Sequence, residues 1–152
     1  MNLICAASIG AVSGLRSMTG PAIVSEAASR NIVKLGKTPL AWLASDRAAR
    51  ISAILAVGEL ITDKLPFTPD RTGGGSLVLR AAAGALCGYA ICAKGQSRGI
   101  AFAAGAAGAL GALAASYAGL QYRRRLPSFA AALLEDAVAI GSGAAVISSV
   151  AS

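Results

Sequence analysis

The stretch IAFAAGAAGALGALAASYAGLQY, residues 100–122, determines the fold class of this chain, because it contains no charged residue. About 20 apolar residues in helical form are enough to cross the ~30 Å hydrocarbon core of a bilayer. The stretch is rich in alanine and leucine and lacks the period-two alternation that marks a β-strand. It therefore predicts a transmembrane helix.

Four further apolar stretches approach this length, at residues 3–24, 48–61, 77–93 and 129–150. The first is interrupted by Arg16 and by the pair Gly20-Pro21, and proline kinks or breaks a helix because it lacks a backbone donor. We therefore predict an all-α fold in a single integral membrane domain, residues 1–152. This fold is a polytopic transmembrane bundle of about five Ala/Gly-rich helices, the first broken near Gly20-Pro21.

The composition also indicates a membrane protein. Of the 152 residues, 55% are hydrophobic and only 14% are charged, whereas a soluble domain carries about 25% charged residues. The net charge of +7 would ordinarily suggest a nucleic acid as partner. The basic residues lie between long apolar runs instead of along one polar face, so we expect the lipid bilayer, and no nucleic acid, as the partner.

The residue types present argue against most enzyme chemistry. The chain has no histidine, which removes the commonest general base and nearly all catalytic zinc sites. Its three cysteines, Cys5, Cys87 and Cys92, form no CxxC pair and lie inside apolar segments, where a thiol behaves as a small hydrophobe. We therefore expect no catalytic activity, no cofactor and no metal site.

The basic residues between the apolar stretches belong to the membrane surfaces. Residues 30–47 combine lysines with Trp42, which suits a segment in the headgroup layer. Arg123, Arg124 and Arg125 close the fourth stretch, and they either orient that helix end or bind anionic lipid. With five spans, six basic residues collect on one face and seven on the other, which leaves the orientation open.

Small residues predict how the helices meet. Gly10 and Gly14 form a GxxxG pair, and Gly84 and Gly88 form another. In the fourth stretch, small residues recur at every fourth position from 103 to 119 and include Gly111 and Gly119. Small residues let helix backbones approach closely in lipid, so we expect these positions to pack helices and to support a homo-oligomer.

A few ionisable residues lie at membrane depth, where each costs about 2.5–3.5 kcal/mol on insertion scales. Arg16 is followed by Ser17 and Thr19, and we expect Glu135 or Asp136 to be its partner. Glu59 and Asp63 lie one helical turn apart and share a face. The candidate pathway residues are therefore Arg16, Ser17, Thr19, Glu59, Asp63, Glu135 and Asp136. Arg16 belongs either to a polar solute site or to an internal ion pair. Glu59 and Asp63, near a helix end, belong either to the same site or to an interfacial charge cluster.

Three stretches carry a resemblance to a known family. GAVSGLRSMTGPA (residues 10–22), GELITDKLPFTPDR (residues 58–71) and LLEDAVAIGSG (residues 133–143) resemble, in the same order, the signature stretches of the domain of unknown function 4126 family of small bacterial membrane proteins. The resemblance implies a multi-pass helical bundle in the bacterial inner membrane. It implies no substrate, cofactor or catalytic residue.

Two functions follow as hypotheses. The first is a transporter- or channel-like protein for an ion or a small polar solute, using the buried Arg/carboxylate cluster. The alternative is a structural or accessory membrane protein that assembles through its small-residue helix faces, with no transport or catalytic activity.

Overall fold

The structure, a computed structural model, describes residues 3–36, 38–62, 74–93, 96–125 and 129–151. Within these ranges the regular structure is entirely helical, which confirms the predicted all-α class. Six α-helices are present: α1 Leu3–Leu15, α2 Thr19–Ser29, α3 Asp46–Thr62, α4 Gly74–Cys92, α5 Arg98–Arg125 and α6 Phe129–Ala151. A short 3₁₀ turn, Ala41–Ala44, precedes α3.

The first predicted helix is two helices, and the break precedes the predicted position. The backbone leaves helical geometry at Arg16–Met18, whereas Gly20 and Pro21 lie inside the first turn of α2. A proline is tolerated there because the first amides of a helix have no partner within it. The non-helical turn at residues 16–18 is called the hairpin turn below.

At the hairpin turn the chain reverses direction, and α2 runs back along α1. Gly20 lies against the hydroxyl of Ser13, and Val12 and Ile23 both lie against Gly143 of α6. Farther from the turn, Cys5 of α1 lies 4.0 Å from Ser149 near the end of α6, measured from Sγ to Oγ. The segment after α2, residues 31–34, borders the same end of α6 at residues 150 and 151. Thus α1 and α2 form a helical hairpin whose two open ends lie at one end of the bundle.

Among the described residues, three helices are long and apolar enough to cross a membrane, so the predicted count of five is not confirmed. These segments are Gly75–Cys92, Arg98–Tyr122 and Ala132–Ala151. The hairpin turn leaves α1 with only 13 residues, about 20 Å of helix, and α3 has 17 residues. Large apolar side chains such as Ile54, Val78 and Phe102 point outward with about two thirds of their surface exposed. These features indicate an integral membrane protein.

The centre of the bundle is a close approach of helix backbones. Helices α4 and α5 are antiparallel, and a Cβ on Gly84 would lie 2.6 Å from the carbonyl oxygen of Gly108. Gly10 of α1 meets the same Gly108 carbonyl, so α5 is packed between two neighbours at this residue. The most deeply buried row of α5 is Ala104, Gly108 and Ala112, one helical position away from the predicted ladder.

The predicted packing glycines lie within this chain's own helix contacts. Gly14 abuts the Ala112 carbonyl, Gly88 abuts the Ala104 carbonyl, and Gly111 abuts the Ala7 carbonyl. Gly119 instead faces side chains, since a Cβ there would lie 3.4 Å from Leu15 Cδ2 and 3.6 Å from Glu135 Oε1. Helices of the same chain cover these faces, so the faces offer little surface to a second copy. The homo-oligomer stays a prediction.

We predict that Gly108→Ala destabilises the protein by about 1–3 kcal/mol, because the new methyl group would overlap the backbone oxygen of Gly84. The matched control is Gly141→Ala on α6, where nothing lies within 4 Å of the added Cβ. The control should be neutral or should raise stability by up to about 1 kcal/mol through helix propensity. Thermal unfolding in detergent measures both, and equal midpoints for the two variants would contradict the packing account.

The hairpin predicts that Leu3 and Asn31 face the same side of the membrane. In a variant without its three cysteines, Leu3→Cys and Asn31→Cys should both react with a membrane-impermeant maleimide added from that side. Arg125→Cys, at the end of α5, should react only from the other side. A single broken span would instead put residues 3 and 31 on opposite sides, so labelling from opposite sides would refute the hairpin.

Candidate functional site

The hairpin turn lies inside the bundle, and its backbone geometry leaves helix ends that need partners. The amide of Arg16 still donates to the carbonyl of Val12 at 2.9 Å, and the amide of Thr19 donates to the carbonyl of Arg16 at 3.3 Å. The last carbonyls of α1 and the first amides of α2 have no helical partner at such a break. Side chains from other helices bind these groups.

The carboxyl end of α1 is bound by a cation and a hydroxyl. Arg80 of α4 is buried, and its Nη1 donates to the carbonyl oxygens of Gly14 at 2.5 Å and Leu15 at 3.2 Å. The hydroxyl of Ser116 on α5 lies 3.0 Å from the same Gly14 oxygen. A guanidinium at this position also complements the negative end of the helix dipole.

The amino end of α2 is bound by a carboxylate. Glu59 of α3 accepts two backbone hydrogen bonds, from the Ser17 amide to Oε1 and from the Met18 amide to Oε2, both at 2.8 Å. Both carboxylate oxygens are therefore used on consecutive amides. The negative charge lies at the positive end of the α2 dipole, so this interaction is favourable. Arg80 is favourable for the same reason, because its positive charge lies at the negative end of the α1 dipole.

The side chain of the turn itself forms a buried ion pair. Arg16 is only 1% exposed, and its Nη2 donates directly to Oδ1 of Asp136 on α6. This contact confirms Asp136 as a partner of Arg16. Adjacent residues on a helix point about 100° apart, and Glu135 is buried next to Gly119 of α5.

The structure brings most of the predicted pathway residues to the hairpin turn. Arg16, Ser17, Glu59 and Asp136 are in direct contact through the bonds above, and Thr19 is buried at the start of α2. Asp63 lies outside the described residues. The side chains of Arg123 and Arg124 also lie outside the described part, and Arg125 is exposed at the end of α5.

Sequence reasoning missed Arg80 and Ser116. Arg80 is the fourth residue of its predicted apolar stretch, and its position inside that stretch is the available signal, although the sequence places it among the surface charges. Ser116 carried no signal, because serine occurs in any helix. In the described ranges no three His, Cys, Asp or Glu residues converge in a way that could hold a metal ion. The chemistry of the turn is therefore that of charged hydrogen bonds.

We predict that Glu59→Gln lowers the free energy of unfolding by about 1.5–3 kcal/mol, because hydrogen bonds to a charged group contribute that much. The matched control is Glu26→Gln. Glu26 pairs with Arg30 at 2.6 Å on the exposed end of α2, and surface pairs of this kind contribute at most about 1 kcal/mol. Thermal unfolding in detergent compares the two variants, and a Glu59→Gln protein as stable as the control would contradict the role of this carboxylate.

Comparison with known proteins identifies the family. The model of the family described as "Domain of unknown function (DUF4126)" matches residues 3–148, and the hairpin turn with all its described partners lies inside that range. No curated protein and no solved structure matches the chain. Because the matched range covers nearly the whole sequence, this chain belongs to the DUF4126 family.

Proposed function

We propose that this protein moves an ion or a small polar solute across the membrane at the hairpin turn, in the inner membrane of a bacterium. The observation that carries the proposal is an irregular turn that charged side chains from three other helices bind: Glu59 and Arg80 bind its backbone groups, and Asp136 binds the side chain of Arg16. Non-helical backbone at membrane depth occurs where it is buried in protein or lines a cavity. Breaks of this kind form the binding sites of many transporters.

The depth of the charged groups supports this interpretation. Arg80 lies six residues from the start of α4, and Asp136 lies seven residues from the start of α6. At 1.5 Å per residue, both are about 10 Å along helices long enough to span the bilayer. An uninterrupted helix would bind all its own backbone groups and would need none of these charges. Their insertion cost of about 2.5–3.5 kcal/mol each therefore argues for a role beyond holding a fold together.

The arrangement suits solute exchange because the turn is bound by groups of both signs. An anionic solute would compete with Glu59 for the amides of Ser17 and Met18, and a cation would compete with Arg16 for Asp136. In the described conformation the protein's own groups satisfy one another, which corresponds to a closed state. Transport of a cation then requires the Arg16–Asp136 pair to separate while Glu59 and Arg80 keep the two helix ends in place.

A second candidate function, a structural or accessory membrane protein, is favoured by one observation. Arg16 and Asp136 touch directly instead of facing each other across a gap. A buried pair of this kind can be replaced by apolar residues of similar size with little loss of stability when its only role is to fill space. The two functions therefore predict different results for the same variants.

The test is flux into proteoliposomes for a panel of monovalent cations, halides and small carboxylates. If the protein is a transporter, proteoliposomes that contain the wild type take up at least one of these solutes. The double variant Arg16→Met/Asp136→Leu then loses the flux while its unfolding midpoint stays near the wild-type value. Glu26→Gln is the control that should keep full flux. Two results would overturn the proposal and favour the structural role. One is a wild type that shows only background flux for every solute of the panel, and the other is a double variant that transports as well as the wild type.

A further inference from the structure

A groove of about 530 Å³ opens between α3 and α4 on the outside of the hairpin. This volume lies within the range of pockets that bind small molecules, about 300–1,000 Å³. One wall contains Ile51 and Leu55 of α3, and the other contains Leu79 and Leu86 of α4. Met18 and Pro21, at the hairpin turn, lie at its inner end. This part of the groove is apolar and faces outward, toward the bilayer.

The other end of the groove is bordered by a tryptophan, a serine and an arginine. Trp42, Ser45 and Arg47 line it where the chain enters α3, and Trp42 is 58% exposed. Tryptophan and arginine at the end of a membrane helix occupy the headgroup layer. From Arg47 to Leu55 the groove follows two turns of α3, about 12 Å at 1.5 Å per residue. The lining of the groove therefore changes from charged to apolar over a distance that corresponds to part of one lipid acyl chain.

We propose that this groove binds one anionic phospholipid. The phosphate lies at Arg47 and Ser45, Trp42 packs beside the headgroup, and one acyl chain extends toward Met18. Charge complementarity selects this ligand, because the exposed Arg47 lines this end of the groove, next to the exposed acidic residue Asp46. A second protein helix would match the apolar length of the groove but not its charged end.

The site has a consequence for the hairpin turn. The amide of Met18 is held by Glu59, and the Met18 side chain faces the groove. An acyl chain bound there packs against the residue that Glu59 positions. The lipid site does not depend on transport, because its lining does not include Arg16 or Asp136.

The test measures lipid binding by native mass spectrometry of delipidated protein, titrated with palmitoyl-oleoyl phosphatidylglycerol or phosphatidylcholine. Wild type should bind one phosphatidylglycerol in preference to phosphatidylcholine. Arg47→Gln should weaken phosphatidylglycerol binding about fivefold, equivalent to about 1 kcal/mol for one basic residue at a lipid surface. Arg50→Gln, one turn away and outside the groove lining, should change it less than twofold.

A second pair of variants tests the apolar part. Ala82 is exposed and lines the groove, so Ala82→Trp should fill it and abolish binding of both lipids. Val78→Trp, exposed on the same helix outside the lining, should leave binding unchanged. Photo-crosslinking of a diazirine-labelled phosphatidylglycerol to the wild type should label peptides of α3 and α4. This measurement uses the wild type, so it tests the site even if a tryptophan variant fails to fold.

Three results would overturn the proposal. Equal binding of both lipids by the wild type would show that the groove does not select an anionic headgroup. Loss of binding only when Arg123, Arg124 and Arg125 are all changed to Gln would move the headgroup to the opposite end of α5. Crosslinks between two protein chains at the groove, without lipid labelling, would make a second copy its occupant.

Discussion

Binding of backbone groups at the hairpin turn is the constraint on which the rest of this structure depends. A chain that reverses inside a bilayer leaves carbonyl and amide groups that cannot reach water, and each costs several kcal/mol when it stays unsatisfied. Arg80 binds the carbonyls that end α1, and Glu59 binds the amides that precede α2. Each charge also matches the sign of the helix end that it contacts. Helices α3 and α4 must therefore lie on either side of the hairpin.

The same constraint explains the abundance of small residues. A hairpin can be bound by side chains from α3, α4 and α6 only if it lies close to all of them. Gly10 and Gly108 allow α1 to lie against the backbone of α5, and Gly84 allows α4 to approach from the other side. In lipid, where apolar burial between helices gains little, such backbone contacts supply much of the packing energy. The glycines thus determine where Arg80 and Asp136 can reach.

The charged groups at the turn have a structural role and also make it chemically distinctive. Arg16 and Asp136 pair within the bundle, yet an ion pair at this depth contributes little net stability compared with apolar packing. Groups of both signs around one irregular segment instead provide a place where a charged solute could replace a protein partner. A lipid chain in the neighbouring groove would contact the same turn through Met18.

The sequence by itself determined the all-α membrane class and the approximate limits of α3 to α6, and it singled out Arg16, Glu59 and Asp136 as candidate site residues. Hydropathy, helix periodicity and the rarity of buried charge are local properties, so they can be read without a fold. Only the tertiary structure decided that residues 3–24 form a hairpin instead of a broken span, because reversal depends on partners from distant helices. For the same reason it showed that Arg80 binds α1 and that Asp136 meets Arg16. These hydrogen bonds join residues that are 65 and 120 positions apart in the chain. Pairs this distant leave no periodic pattern in a single sequence.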